Sequence, residues 1–339
     1  MAARSRGVPA RSPAQGNGRS PALRCIDDVH DPAYAALACR AGTIFSSPEW
    51  LSLFGRRLKL YGIFSATDEL YGACFFYESR RAGLKRIGNP PYTPHNGWIF
   101  ENRSRNSAKM LSEQKQAIQS LVDFVEAQAF SLVRFSFPFT VRDMQPFTWR
   151  KFKVIPHYTY RVDLKESVAG LEHRMAAEYR RRLRQAAKSG VTVERIADYG
   201  IVRDLVMAGF NRKGIPADPA LLEKILFEFA NASNSYAFAA VRNGRPIATS
   251  LSVHDKTTAY YLLGGHAAQH GGAGRLCMWQ NLLHAKESAL TAFDFEGSML
   301  QDVERYFRGF GGDLVPYFTI NKAWLPLEFA LKLVKRELF

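Results

Sequence analysis

Between residues 257 and 322 the chain runs strand, glycine turn, helix, strand, helix, strand, and that order leaves few folds open. Residues 258–263 (TAYYLL) are an apolar, aromatic run of strand type. Gly264, Gly265, Gly271, Gly272 and Gly274 crowd the loop that follows. Residues 275–289 then space Leu276, Trp279, Leu283 and Lys286 as on a helix. Residues 291–295 (TAFDF) predict a second short strand. Residues 299–310 predict an amphipathic helix with Val303, Tyr306, Phe307 and Phe310 on one side, stopped at Gly311–Gly312. Residues 314–320 predict a last strand. Strands alternating with helices in this way specify an α/β fold.

A glycine turn between a strand and a helix frees backbone N–H groups that aim at one point, with the helix dipole behind them. Such a turn suits a phosphate or pyrophosphate; it also serves as a plain turn. Here Gln269–His270–Gly271–Gly272–Ala273–Gly274 satisfies Q-x-x-G-x-G, with Arg275 next. This resembles the pyrophosphate loop of GNAT acyltransferases. Downstream, Phe293–Asp294–Phe295–Glu296–Gly297–Ser298 and Phe307–Arg308–Gly309–Phe310–Gly311 resemble the "FDF-x-GS" strand and the "F-K/R-x-x-F-G" helix end of Fem-type transferases. The resemblance extends more loosely over residues 45–322. It implies two GNAT-like units, each a mixed β-sheet flanked by helices, the second more complete. It also implies acetyl-CoA or another acyl-CoA as co-substrate, bound by Gln269, Gly271, Gly272, Ala273, Gly274 and Arg275.

The net charge of +15 calls for an anionic partner: nucleic acid, a phosphorylated cofactor or a membrane surface. Part of it lies in residues 1–24, which hold five arginines and no acid among Ala, Gly, Pro and Ser. That composition predicts a disordered start. It has no apolar stretch to act as a secretory signal, and its prolines oppose a helical transit peptide. No run of about 18 apolar residues predicts a membrane span. The four cysteines have neither disulfide-framework nor metal spacing, so no metal is expected and the reading is cytoplasmic, at or near the inner face of the membrane.

Two units divide the chain on this reading, 25–150 and 151–339. In the first, Ser46-x-x-Glu49 with Pro48 marks a helix start. Thr67–Asp68–Glu69 marks a hairpin, and residues 107–129 form a long amphipathic helix. Asn89–Pro90–Pro91–Tyr92–Thr93–Pro94 is a rigid loop, structural or else lining a cleft through Tyr92, His95 and Trp98. In the second, residues 167–189 form one strongly basic helix with Arg180, Arg184 and Lys188 at i, i+4, i+8. That face is either solvated or binds an anion. Residues 325–339 form a basic amphipathic helix that caps the fold or touches a surface.

Amine attack on a held thioester needs positioning, a donor for the oxyanion and a proton acceptor. Asp294 and Glu296 are candidate acceptors, with His254 and His266 weaker ones; Asp294 serves equally as a cap for the next helix. The resemblance assigns Phe307–Arg308 to the acyl donor and the oxyanion, with Arg where the Fem pattern has Lys. The expectation is an N-acyltransferase moving an acyl group, acetyl foremost, from acyl-CoA to an amine on an anionic small molecule or on a cell-envelope or polysaccharide precursor. Arg180, Arg184, Lys188 and Phe307 are the expected substrate contacts. An aminoacyl-tRNA-dependent transferase acting on a peptidoglycan precursor is the alternative, with tRNA as partner, peripheral membrane contact, and no DNA. A third class, a binding protein that kept only the fold, would be expected to have lost the loop glycines.

Overall fold

The computed structural model describes residues 22–268, 272–297 and 299–334. Gln269, His270, Gly271 and Ser298, and all of residues 1–21, lie outside that description. The first unit runs β1 (Ala22–Ile26), α1 (Pro32–Ala41), α2 (Pro48–Ser52), β2 (Leu58–Phe64), β3 (Leu70–Arg81), β4 (Leu84–Gly88), β5 (Ile99–Phe100), α3 (Ser107–Ala127), β6 (Leu132–Ser136), α4 (Gln145–Trp149) and β7 (Lys153–Asp163). The second runs α5 (Val168–Arg174), α6 (Ala177–Lys188), β8 (Thr192–Ile196), α7 (Gly200–Lys213), α8 (Pro219–Glu223), β9 (Ser235–Arg242), β10 (Arg245–His254), β11 (Thr258–His266), α9 (Ala273–Glu287), β12 (Ala292–Asp294), α10 (Gln301–Arg308), β13 (Asp313–Ala323) and α11 (Leu325–Val334).

One mixed sheet carries both units, in the order β1-β2-β3-β4-β6-β13-β7-β12-β11-β10-β9-β8, with β5 on β3. Each unit has one parallel pair closed by a helical crossover: β4 and β6 through α3, β11 and β12 through α9. The two last strands are exchanged. β13, from the end of the chain, pairs with β6 of the first unit, and β7 pairs with β12 of the second. β7 and β13 also pair with each other, from Arg161↔Asp313 to Lys153↔Asn321. Residues 151–163 therefore belong to the seam between the units.

Local chemistry explains the turns. Asn243 and Gly244 both have positive φ, +53° and +72°, as a type I′ hairpin requires, and Asp68 turns β2 into β3 at φ +65°. The first-unit helix start lies one residue later than the capping-box spacing implies: Ser47 is the N-cap, accepting from Trp50 N at 3.2 Å, with Pro48 following. Ala22–Arg24, assigned by composition to a disordered start, sit in β1 against β2. Gly264 and Gly265 extend β11 instead of opening the loop. A Cβ on Gly265 would lie 2.3 Å from the Leu205 backbone, so glycine lets α7 close onto the sheet.

The predicted basic helix is two helices. It breaks at Met175, where the chain is extended, and Ala176 N donates to Gly309 O at 3.0 Å. The Arg180 guanidinium turns back onto the Glu172, His173 and Met175 carbonyls at 2.6–3.0 Å, satisfying the orphan acceptors at the end of α5.

A shared core joins the units on one face of the sheet. Phe45, Trp50 and Leu51 of the first pack with Leu222, Phe229 and Tyr260 of the second, and the Trp50 and Phe229 rings meet edge-on at 4.8 Å. On the other face, Phe307 of α10 and Phe310 just past its end pack with Phe293, Phe295 and the apolar side of α9.

Candidate active site

β11 and β12 are paired only from Thr258↔Ala292 to Tyr260↔Asp294, then part. Past that point β11 carries a bulge: Leu251 faces Leu263 and Ser252 faces Tyr261, which leaves Leu262 without a ladder partner on β10. A wedge thus opens between the strands, and two cavities border it.

The larger cavity, about 940 Å³, lies under α9, α10 and the start of α6. The N-terminus of α9 points into it. Its N-cap, Gly272, is left-handed at φ +87° and supplies no side-chain cap, so the helix's first N–H groups have no side-chain acceptor there. Gly274 lines the cavity, and its carbonyl accepts from Tyr306 OH at 2.9 Å. Arg275 lies between the Tyr179 and Tyr306 rings, 4.7 and 5.7 Å from their centroids, and its buried Nε has no hydrogen-bond partner among the described residues. Lys213, Arg305 and Arg308 line the same cavity against Glu178 and Asp302, a cationic surplus. A helix N-terminus without a capping side chain, beside an arginine whose Nε is unpartnered among the described residues, suits a phosphorylated ligand.

The smaller cavity, about 150 Å³, lies between the two units. Asp294, at the crotch of the wedge, is buried there. Its Oδ1 accepts from Thr159 Oγ1 at 2.6 Å and from Glu296 N at 2.9 Å, and its Oδ2 from Arg161 at 3.1 Å. Arg161 also lies 4.2 Å over the Phe139 ring. Glu296, two residues on, is half-buried at φ +61°, a conformation that costs a residue with a Cβ roughly 1–3 kcal/mol. Among the described residues its carboxylate has no hydrogen-bond partner.

Burial pushes both carboxyls up. For Asp294, Arg161 and three hydrogen bonds oppose that shift. For Glu296 the neighbouring Asp294 charge adds to it, and Glu296 rises well above the usual carboxylate range. Of the two, Glu296 therefore takes up a proton more readily than Asp294. His95 in the same cavity is neutral: burial lowers it to about 4, and its Nδ1 accepts from Gly97 N at 3.0 Å.

The structure brings some predicted residues together and separates others. Asp294 and Glu296 share the small cavity. Gly274, Arg275, Phe307 and Arg308 border the large one, next to Gly272 and Ala273 at the head of α9; Gln269 and Gly271 lie outside the described residues. Asp294 and Arg308 line different cavities. Arg308 Nε is 2.8 Å from Glu304, which also accepts from Tyr160 OH at 2.6 Å. Phe307 is a core ring stacked 5.1 Å from Phe295. The Arg180 guanidinium lies against the carbonyls at the end of α5, and Arg184 and Lys188 are exposed and line neither cavity. His254 lines neither cavity, and His266 sits at the far end of the large one. His95 and Trp98 of the rigid loop do line the small cavity, while Tyr92 lines the large one. Thr159, Arg161, Tyr260 and Tyr317 were not foreseen. Their strands carry no motif, and only the exchange of β7 and β13 brings Thr159, Arg161 and Tyr317 here.

Residues 173–308 match the family described as acetyltransferase (GNAT) domain. No curated protein sequence matches the chain. Among solved structures, FemX superposes with a TM-score of 0.64 at 13 % identity, covering 91 % of this chain and 99 % of that one. The C-terminal domain of a putative lysylphosphatidylglycerol synthetase from Agrobacterium fabrum gives 0.56 at 14 %, covering 90 % and 95 %. A tandem GNAT protein from the clavulanic acid biosynthesis pathway gives 0.52 at 11 %, covering 88 % and 98 %. At such identities the likeness speaks for the fold, and the fold is the two-unit one. Residues 173–308 thus match a GNAT acetyltransferase domain, set within a two-unit architecture that the chain shares with FemX and with a tandem GNAT protein.

Proposed function

We propose that the protein transfers an acyl group from acyl-CoA, held in the large cavity, to an amine presented from the small one. The wedge between β11 and β12, with the uncapped start of α9 on its donor side, carries this reading. The pyrophosphate lies against the α9 N–H groups, with Arg275 beside it. The acyl-bearing arm runs into the wedge along β11, whose backbone there has no second strand to pair with. The amine nitrogen attacks the thioester carbon, the C–S bond breaks, and the amine's proton passes to the Glu296 carboxylate. A carboxyl lifted toward neutrality accepts that proton better than one held low. Asp294, saturated by Arg161 and Thr159, orients the site and does not take the proton. Arg308, tied to Glu304 at the rim, neutralises donor phosphate.

A second donor, aminoacyl-tRNA, draws support from the fold shared with FemX and with a putative lysylphosphatidylglycerol synthetase. There an ester C–O bond would break at the same wedge. Calorimetry separates the two. Gly274 has room for a methyl, since among the described residues a Cβ there meets only Tyr306 OH at 3.9 Å. Gly274→Ala therefore keeps the fold and crowds only a ligand that approaches the backbone. Acetyl-CoA is expected to bind the wild type and to lose about tenfold or more in affinity for the variant. Charged tRNA binding with no acetyl-CoA binding would transfer the reading to the second donor.

A further inference from the structure

Helix α11 has its polarity inverted relative to a helix that faces water. Its sequence is LPLEFALKLV, and none of its residues is buried. Leu325, Phe329 and Leu333, spaced i, i+4, i+8, form one stripe and are 79, 69 and 74 % exposed. Trp324 at its start is 61 % exposed and Val334 at its end 81 %. The half-buried Leu327 and Leu331 are what turns toward the body of the protein. Three large apolar side chains in one exposed stripe, with Trp324 and Val334 also exposed at the ends of the helix, exceed what a soluble surface normally carries without a partner.

The charge around the patch says what the partner is. Lys332 lies on the helix, paired at 2.8 Å with Glu328, and Lys335 and Arg336 follow it in sequence. Lys153 pairs across the sheet with Asn321, and Asn321 with Arg134, at the end of β13 from which the helix starts. Lys151, Lys153 and Arg134 are exposed there, with no ion pair among the described residues. The acids nearby are engaged: Glu126 by Lys322 and Arg150, Asp123 by Arg150. The rim is thus basic on a chain of net charge +15.

We propose that α11 docks on an anionic phospholipid surface, its apolar stripe in the interface and the basic rim against the headgroups. Other occupants match less well. Residues 1–21 contain no aromatic residue and no leucine to cover the stripe, and they add further positive charge. A second copy would bring an identical basic rim against this one. A nucleic acid would satisfy the rim and leave the stripe in water. The proposal stands on residues remote from both cavities and is independent of the donor's identity.

The test is co-sedimentation of the full chain with phosphatidylcholine vesicles, with and without phosphatidylserine. Wild type is compared with the double variant Phe329→Glu, Leu333→Glu. Both positions are exposed, so unfolding temperature and acetyl-CoA or tRNA binding are expected to stay unchanged. Wild type is expected to bind the serine-containing vesicles, more weakly as salt rises, and the variant about tenfold or more weakly. Equal vesicle binding by the two proteins overturns the proposal. So does a wild type that ignores vesicles and sediments alone as a dimer that the variant abolishes.

Discussion

The two crossovers of this molecule have one topology and opposite fates. In the first unit β4 and β6 run parallel from Arg86↔Leu132 to Gly88↔Arg134 and then part, as β11 and β12 do in the second. In the first unit the chain itself fills the gap. Asn89 Oδ1 accepts from Ser136 N at 3.1 Å, Asn96 N donates to Ser136 O at 2.8 Å, and Phe75 N donates to Asn96 O at 2.9 Å. The start of α3 is closed as well, by the Asn106 side chain accepting from Lys109 N at 3.0 Å. In the second unit no loop enters the wedge among the described residues, and α9 begins at a glycine without a capping side chain. Backbone groups at a strand split or a helix start must be satisfied by something. The first unit satisfies them with asparagines and becomes scaffold. On the proposed function, the second leaves them to a ligand.

The strand ends repeat the contrast. Phe135–Ser136–Phe137–Pro138–Phe139 closes β6, and Phe293–Asp294–Phe295–Glu296–Gly297 closes β12. Across the ladder, Ser136 faces Thr319 and the two hydroxyls bond at 2.8 Å; Asp294 faces Arg161 and they form an ion pair. One unit pairs neutral groups where the other pairs charges, and only the second has an acid in place of the proline.

Making the second unit neutral is expected to have the largest effect. Glu296→Gln removes the proton acceptor and keeps the shape. Turnover is expected to fall by about 10²–10⁴-fold with donor affinity unchanged; a fall under about threefold would return Glu296 to a structural role. The same variant changes the pH dependence of stability. Because the folded protein holds the Glu296 proton more tightly than the unfolded chain, its contribution is complete below the unfolded value near about 4.3 and is lost as pH rises through the higher folded value. Wild type is therefore expected to lose stability relative to Glu296→Gln on going from pH 5 to neutrality, measured by thermal melts.

Much of this contrast was legible in residue order. The glycines after β11, the "FDFEGS" strand and the order of helices and strands point to the wedge and to Asp294 and Glu296. The hairpins at Asp68 and Asn243–Gly244 are readable because left-handed turns demand particular residues. What could not be read is the part made by long-range pairing. Arg161 sits in an unremarkable strand, and only its register against Asp294 gives it a role. The break at Met175 was invisible for a similar reason. Helical periodicity continues through it, and the competing hydrogen bond comes from Gly309, far along the chain. Arg180 then caps the end of α5, where its spacing alone left a solvated or an anion-binding face open. The likeness of residues 135–139 to 293–297 is a readable internal repeat, and it marks the two strand ends that the fold makes equivalent.

Opening the first unit's gap is expected to give the intermediate effect, and on stability alone. Asn89→Ala leaves Ser136 N–H and the Pro94 carbonyl without their side-chain partner. Loss of a partner for a buried backbone group costs about 1–3 kcal/mol, a drop of several degrees in unfolding temperature. If the first gap is scaffold, acetyl-CoA affinity measured on the folded variant stays at the wild-type value. A loss of donor affinity would mean that the plugged gap takes part in binding.

The smallest effect is expected at the rim of the open gap. Arg308 is exposed by 60 %, and its Nε faces Glu304 one helical turn back. An exposed pair of this kind is worth about 0–1 kcal/mol. Arg308→Lys keeps the charge and gives up the planar fork. If Arg308 only neutralises phosphate at the cavity rim, a lysine serves nearly as well: kcat is expected to stay within about threefold of wild type, with any change falling on KM and growing as salt is removed. A group that donates to the developing oxyanion behaves differently, because its interaction strengthens in the transition state and its loss appears in kcat at any ionic strength. Salt-independent loss of kcat in Arg308→Lys, with KM unchanged, would move Arg308 from the rim to the reacting carbonyl. The wedge would then have to close on α10 during the reaction, since Arg308 and Asp294 line different cavities in the structure described.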